Sequence, residues 1–303
     1  MSVKLVVRLK GGLGNQLFCY AAARRLAWAN DAELVLDTVT GFKYDYLYRR
    51  SYALDAFRIP ARLATSAELM EPMGRLRRLI VRKFYERRPL GQRRYIQQVG
   101  VLFDPGIVAL ILQKGTTYFD AFGQSERYFV DIREQLLQDL VMSAPRDQDN
   151  LTMATKIKST ESVALHVRWF DAGNKAHSSN MSQAYYVQAM LKLLETVPTA
   201  HFFIFSDRPA ETSAFLAPLM VGRLCTLVHH NTKSGKAEAD FWLMRQCRHF
   251  IIGNSTFAWW AAWLGEQERA GTQVFAPSRN VNPEQSDTAW GFPGLLPERW
   301  TVL

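Results

Sequence analysis

Three short stretches in the second half of the chain carry side chains that could do chemistry together. Gly253-Asn254-Ser255-Thr256 stands between a short apolar run, His249 to Ile252, and an Ala- and Trp-rich run, Phe257 to Leu264. A flexible residue followed by three capping side chains puts backbone N–H groups and hydroxyls at a helix start, where an anion such as phosphate is well received. Arg168, two residues after His166, offers a planar fork of donors suited to a pyrophosphate. Ser206 and Asp207 end another apolar run, and a carboxylate such as Asp207 or Asp240 could accept from a ribose or a base. Singly, each has a plainer role: His166 as a core histidine, Asp207 and Asp240 as helix caps, Trp259, Trp260 and Trp263 as core. Together they describe a nucleotide-diphosphate site.

The elements that must position these residues follow from periodicity. Strands are expected from Ser162 to Val167, His201 to Phe205, Leu224 to Val228, His249 to Ile252 and Thr272 to Phe275. Helices are expected between them, from Ser182 to Val197, Pro209 to Met220, Glu238 to Cys247 and Ser255 to Leu264. Such alternation, with continuous apolar strands, means a parallel sheet covered by helices on both faces. Ligands of such sheets bind beyond the carboxyl ends of the strands, where His166, Arg168, Ser206, Asp207 and Asn254 to Thr256 fall.

The first half opens as a β-α-β unit, with strands from Val3 to Leu9 and Glu33 to Asp37 around a helix from about Leu17 to Ala29. The loop Lys10-Gly11-Gly12-Leu13-Gly14-Asn15-Gln16 allows a tight turn and lets another molecule approach the backbone. It is neither a P-loop, because no Lys-Ser/Thr pair follows the last glycine, nor the fingerprint G-x-G-x-x-G, and a plain strand-to-helix turn is its commoner meaning. Phe42 to Arg58 interleaves tyrosines with basic residues, a composition that suits stacking on sugars and equally packing on a core. Arg75 to Arg94 places Leu76, Leu79, Ile80 and Phe84 at helical spacing among many arginines. A basic amphipathic helix fits an anionic membrane surface or a polyanion, and otherwise is a solvated face. Ser143 to Asn150 reads as a linker between two α/β domains, residues 1–148 and 149–303.

Composition narrows the setting. A hydrophobic share of 48% with 21% charged residues describes a folded chain, and a net charge of +9 asks for an anionic partner: a phosphate-bearing ligand, a membrane surface or nucleic acid. Cys19, Cys225 and Cys247 are odd in number and widely spaced, which argues against a disulfide framework or a zinc site. Met1 to Lys10 lacks the apolar core of a signal peptide, and no run approaches a membrane span. The expected location is cytoplasmic, with peripheral membrane contact open. Nucleic acid is not expected as a partner, because no recognition motif accompanies the basic stretch.

The chain resembles the bacterial α-1,2-fucosyltransferases, a glycosyltransferase family 11-like group related more distantly to the α-1,6- and protein O-fucosyltransferases. The matching pieces, in order, are Gly11 to Phe18, Tyr52 to Phe57, Gln124 to Phe129, His166-Val167-Arg168, Phe205-Ser206-Asp207 and Asp240 through Leu264. They cover most of the chain, and the NSTFAWWAAWL core of the last is the most specific.

The resemblance implies an inverting, GT-B-type enzyme of two Rossmann-like domains. It would carry L-fucose from GDP-L-fucose to a galactoside-type hydroxyl of a surface glycan, the acceptor being met by the first domain and lipid-linked where the glycan is growing. It places Arg168 on the pyrophosphate, with Gly12, Gly14, His166, Ser206, Asp207, Asn254, Ser255, Thr256 and Phe257 around the donor and Asp240 at its nucleoside end. Asn15 falls near the reacting centre, and Asp171 is the nearest acidic candidate for a general base. The single Asp-x-Asp triplet, Asp147-Gln148-Asp149, falls in the linker stretch outside the matching pieces, and no metal cofactor is expected. The family pattern His-x-Arg-Arg-Gly-Asp reads His166-Val167-Arg168-Trp169-Phe170-Asp171 here, and Phe170 cannot take a positive φ as cheaply as glycine. A chain that keeps the fold but only binds GDP or glycan is the alternative.

Overall fold

The computed structural model describes residues 2–170, 180–232, 237–266, 270–278 and 290–303. The chain divides into two compact units, Met1–Val141 with Pro293–Leu295, and Met142–Phe292 with Leu296–Leu303.

In the first unit β1 (Val3–Arg8) is the middle strand, flanked by β2 (Glu33–Asp37) and β5 (Gly115–Asp120), with β3 (Arg62–Leu63) and β4 (Tyr95–Gln97) at the edges. Every pairing is parallel. Leu5, Val6 and Val7 are wholly buried, as a strand covered on both faces requires. Helix α1 (Leu13–Ala29) begins four residues earlier than the glycine count suggests. Only Gly11 needs the left-handed region, at φ 75°, and Gly12 takes ordinary extended geometry at φ −75° and ψ 177°. The helix therefore starts at once, and Gly14, Asn15 and Gln16 ride on its first turn. Helix α2 (Gly74–Tyr85) is shorter than the basic stretch, because Pro89 cannot continue it and Arg93 and Arg94 belong to the approach to β4. Two further short helices, α3 (Pro105–Val108) and α4 (Arg133–Asp139), complete this unit.

The second unit opens with α5 (Gln148–Lys158), where the sequence suggests a linker. Asp147 is its N-cap and accepts from the Asn150 N–H at 3.0 Å, so the polar residues that look like linker are the capping signal. Then come β6 (Ser162–Val167), α6 (Gln183–Thr196), β7 (His201–Ser206), α7 (Pro209–Met220), β8 (Leu224–Val228) and α8 (Ala237–Arg245). The chain closes with β9 (His249–Ile251), α9 (Thr256–Gly265), β10 (Val274–Ala276) and β11 (Thr301–Val302). The parallel sheet has the order β11-β10-β9-β6-β7-β8, flanked by helices. Trp259, Trp260 and Trp263 are fully buried: Trp259 and Trp263 stack, Trp260 meets both edge-on, and Trp300 lies tilted against Trp259. From Ala258 onward α9 is apolar on every side, and a helix of that kind belongs inside a core. Only its first turn is left to face a ligand.

Candidate functional site

The site in the second unit is set by register. His166 on β6 lies opposite Phe205 on β7, Val167 opposite Ser206, and Leu165 opposite Ile251 on β9. The residues that follow these strands therefore emerge side by side: Arg168, Asp207 and Gly253 to Phe257. Gly253 is required by close approach. A Cβ there would stand 3.1 Å from both the His166 carbonyl oxygen and the Tyr186 hydroxyl. Helix α6 fastens the strand ends from below, with Tyr186 Oη donating to the His166 carbonyl at 3.2 Å and Tyr185 Oη to the Ile252 carbonyl at 2.6 Å. Burial holds both phenols well above their ordinary pKa, so they act as donors.

His166 is buried, and its Nδ1 has no hydrogen-bond partner. Burial, helped by the nearby Arg168 charge, pulls its pKa down to about 3, so the imidazole is neutral under ordinary conditions. Its ring lies 5.9 Å from that of Phe257, which in turn meets Phe241 edge-on at 5.2 Å. At the start of α9, Ser255 is in N-cap geometry, yet its hydroxyl makes no capping bond. Ser255, Thr256 and Phe257 are half-buried, whereas the rest of α9 is buried.

Arg168 Nη1 donates to Asp207 Oδ2, and the Trp169 N–H donates to Asp207 Oδ1 at 3.1 Å. Asp207 is thus the anchor of Arg168. Both side chains remain 30% accessible, so the pair can meet a ligand. Ser206 supports the neighbouring loop, its hydroxyl oxygen accepting from the Arg208 N–H at 3.1 Å and from Thr212 Oγ1 at 2.7 Å. Thr212 accepts in turn from Trp169 Nε1 at 2.7 Å, and the indole packs edge-on against Phe215. Trp169 therefore has a built home here. Phe170 has no positive φ and lies beneath the Arg168 guanidinium at 5.6 Å. The substituted loop is accommodated without the backbone geometry that glycine would supply.

Asp240, in the first turn of α8, belongs to a separate polar cluster. Its Oδ1 accepts from Asn231 Nδ2 at 2.8 Å, and Asn231 and Asn150 exchange amide hydrogen bonds of 2.9 Å. Burial raises the Asp240 carboxyl to about 6, with Glu238 adding to the rise and the Asn231 bond opposing it. Phe241 and its contact with Phe257 bring this turn to the start of α9. Asp171 lies outside the described residues.

The remaining sequence candidates, Gly12, Gly14 and Asn15, follow the carboxyl end of β1 in the first unit. Asn15 Oδ1 accepts from Gln124 Nε2 at 3.0 Å, and a Cβ on Gly11 would overlap the Asn15 side chain. The fully buried Gln16 ties the loop down, donating to the Gly11 and Ser51 carbonyls at 2.9 Å and accepting from the Ala53 N–H at 2.9 Å. Gly12 opens toward Arg50, and Gly14 is buried in α1.

Sequence reasoning missed the cluster beneath. Asp120 accepts from Lys10 Nζ at 2.6 Å, Arg8 Nη1 at 3.0 Å and Tyr95 Oη at 3.0 Å, while Asp37 accepts from Thr40 and Tyr118. Asp37 and Asp120 are the last residues of β2 and β5, so the strand-end rule applied to the second half would have found them. Among the described residues no group of three or more His, Cys, Asp or Glu could hold a metal ion, and no helix is long and apolar enough to cross a membrane.

Two parallel sheets, each flanked by helices, make a two-Rossmann α/β fold of the GT-B type. The chain belongs to glycosyl transferase family 11, whose profile matches residues 107–286. It is similar to an α-1,2-colitosyltransferase of Escherichia coli, 27% identical over 265 residues, covering 86% of this chain and 87% of that protein. The O-antigen biosynthesis glycosyltransferase WbnK of Escherichia coli is 26% identical over 287 residues, covering 86% and 90%. Among solved structures, the fucosyltransferase NodZ from Bradyrhizobium aligns with a TM-score of 0.49 at 16% identity, covering 86% of this chain and 92% of that one.

Proposed function

We propose that this protein is an inverting glycosyltransferase that moves L-fucose from GDP-L-fucose to a galactoside-type hydroxyl of a surface glycan, forming an α-1,2 linkage. The observation that carries the reading is the end of β6: an Asp207-anchored Arg168 beside a buried, neutral His166 and the uncapped first turn of α9. As the bond from fucose to the β-phosphate breaks, negative charge grows on the departing GDP. The Arg168 fork and the amide dipoles of α9 meet that charge, so no metal ion is required. Neutral His166 can donate one hydrogen bond to the donor without adding charge. Asn15 positions the acceptor hydroxyl, and Asp171 takes its proton. The relatives' names fit this reading, one in its α-1,2 linkage and the other in its surface glycan. The growing acceptor is lipid-linked and is met at the cytoplasmic face of the membrane.

The test is transfer to a galactoside from GDP-L-fucose, run beside GDP-colitose, with the product linkage read by NMR. An α-1,2-fucoside, formed at a rate unchanged by EDTA, is expected. Retained β-configuration, or activity that EDTA abolishes and Mg²⁺ restores, would overturn the mechanism. Preference for colitose would change the donor, and tight GDP binding without turnover on any acceptor would make the protein a binding module.

Asp240, placed at the nucleoside end, supplies a pH signature. Its raised carboxyl favours the protonated form in the folded protein, a contribution to stability present at low pH and lost as pH rises through about 6. Donor binding runs the other way, since only the ionised carboxylate accepts two hydrogens from a base. Affinity for GDP-L-fucose, whose pyrophosphate does not titrate in this range, should fall about tenfold per pH unit below the Asp240 pKa. Calorimetry on Asp240→Asn should show weaker binding and no such slope; an unchanged slope would remove Asp240 from the donor site.

A further inference from the structure

Helix α2 is built inside out. Its inner face turns Val81 onto the Val6, Val35, Tyr95 and Tyr118 cluster, and two arginines lie on that same face. Arg78 donates to the Leu69 carbonyl at 2.6 Å and stands 5.9 Å over the Tyr118 ring, and Arg82 donates to Gln97 Oε1 at 3.1 Å. The outer face carries the apolar stripe. Met73, Leu76, Ile80 and Phe84 recur at three- and four-residue spacing and are 64%, 46%, 58% and 61% exposed. A helix of a globular domain sends such a stripe to the core, and a contiguous exposed one marks a surface that meets something.

Two neighbouring features say what it meets. Residues 74–94 hold nine Lys or Arg against one acidic residue, Glu86. Beside the helix, Arg75 lies 5.1 Å over the Tyr44 ring, Tyr44 meets Tyr46 edge-on at 6.3 Å, and Tyr46 and Leu47 are 77% and 69% exposed. Apolar side chains rimmed by arginines, with tyrosine at the edge, match the layers of a bilayer interface. A nucleic acid would neutralise the arginines and leave Leu76, Ile80 and Phe84 wet, and a second copy meeting this face would set like charges against each other.

We propose that the outer face of α2, with the Tyr46 and Leu47 tip beside it, docks the first unit on an anionic lipid surface. The apolar stripe enters the headgroup boundary and the flanking arginines contact lipid phosphates. This goes beyond the transferase reading and stands without it.

The test uses the full chain and vesicles of phosphatidylcholine with or without about one-third phosphatidylglycerol. Co-sedimentation should require the anionic lipid. Changing Arg75, Arg77, Lys83 and Arg87 together to Gln should weaken it by about 100-fold or more. The triple change Leu76→Ser, Ile80→Ser, Phe84→Ser should weaken it by about tenfold or more. These side chains are exposed, so melting temperature and GDP affinity should hold. A Phe84→Trp variant should be quenched by brominated lipid chains more than the parent. Equal binding to neutral vesicles, full binding by the triple variant, or no added quenching would overturn the proposal. So would a dimer in sedimentation that the triple variant converts to monomer without any vesicle binding, since the face would then join two copies.

Discussion

Replacing Arg168 by Lys is expected to lower turnover by about 100-fold or more, the scale of removing a preorganised transition-state donor, while melting temperature hardly moves. Charge is conserved, so the loss must come from geometry. The guanidinium reaches Asp207 with Nη1 and keeps further N–H groups in a fixed plane, from which a phosphate could accept. An ammonium in the same place would be a point charge drawn to the Asp207 carboxylate. The departing phosphate would then meet one rotating donor in place of two parallel ones. Affinity for GDP-L-fucose should fall much less than turnover, because the bond matters most when charge has moved onto the β-phosphate. Single-turnover kinetics with saturating donor separate the two. A variant that kept turnover within a few-fold would show that charge alone suffices.

Much of the second unit is legible in the sequence. Alternating apolar strands and helices give β6 and β8 at the expected limits, and the rule that ligands sit beyond strand carboxyl ends picks out residues that register brings together. What was hidden falls into physical kinds. The early start of α1 and the α5 helix were missed because glycines and capping residues read as loop, although only Gly11 requires a loop conformation. Edge strands of two or three residues, such as β3 and β11, have no period to detect. The anchoring of Arg168 by Asp207, of Trp169 by Thr212 and of Asp240 by Asn231 joins residues distant in sequence. Spacing along the chain cannot reveal such pairs. Helix α2 is the sharpest case, because its period is plain in the sequence while the direction of its apolar face depends on the sheet it packs against.

Asp120→Asn is expected to destabilise the protein by about 3 kcal/mol at neutral pH, the low end of the cost of removing one partner from a buried ion pair. Asp120 is 3% exposed, and burial alone would push its carboxyl up. Lys10 and Arg8 outweigh burial and hold it below the usual carboxylate range. Such a depressed carboxyl stabilises the fold above its unfolded pKa, and the contribution is lost as pH falls through the lower, folded value. The amide variant leaves two cations, at 28% and 20% side-chain exposure, without their anion. Arg8 keeps its bonds to Thr40 at 3.1 and 2.9 Å, whereas Lys10 is left above the Phe122 ring at 4.2 Å. Lys10 should loosen first. It leads directly into Gly11 and the turn that carries Asn15, so glycosyl transfer should fall further than affinity for the donor. Urea unfolding at neutral pH and near pH 3 checks the cause. The gap between wild type and variant should shrink in acid, because below the unfolded pKa each further drop toward the folded value costs the wild type stability that the amide variant never had. A gap of constant size would assign the loss to packing and not to the missing charge.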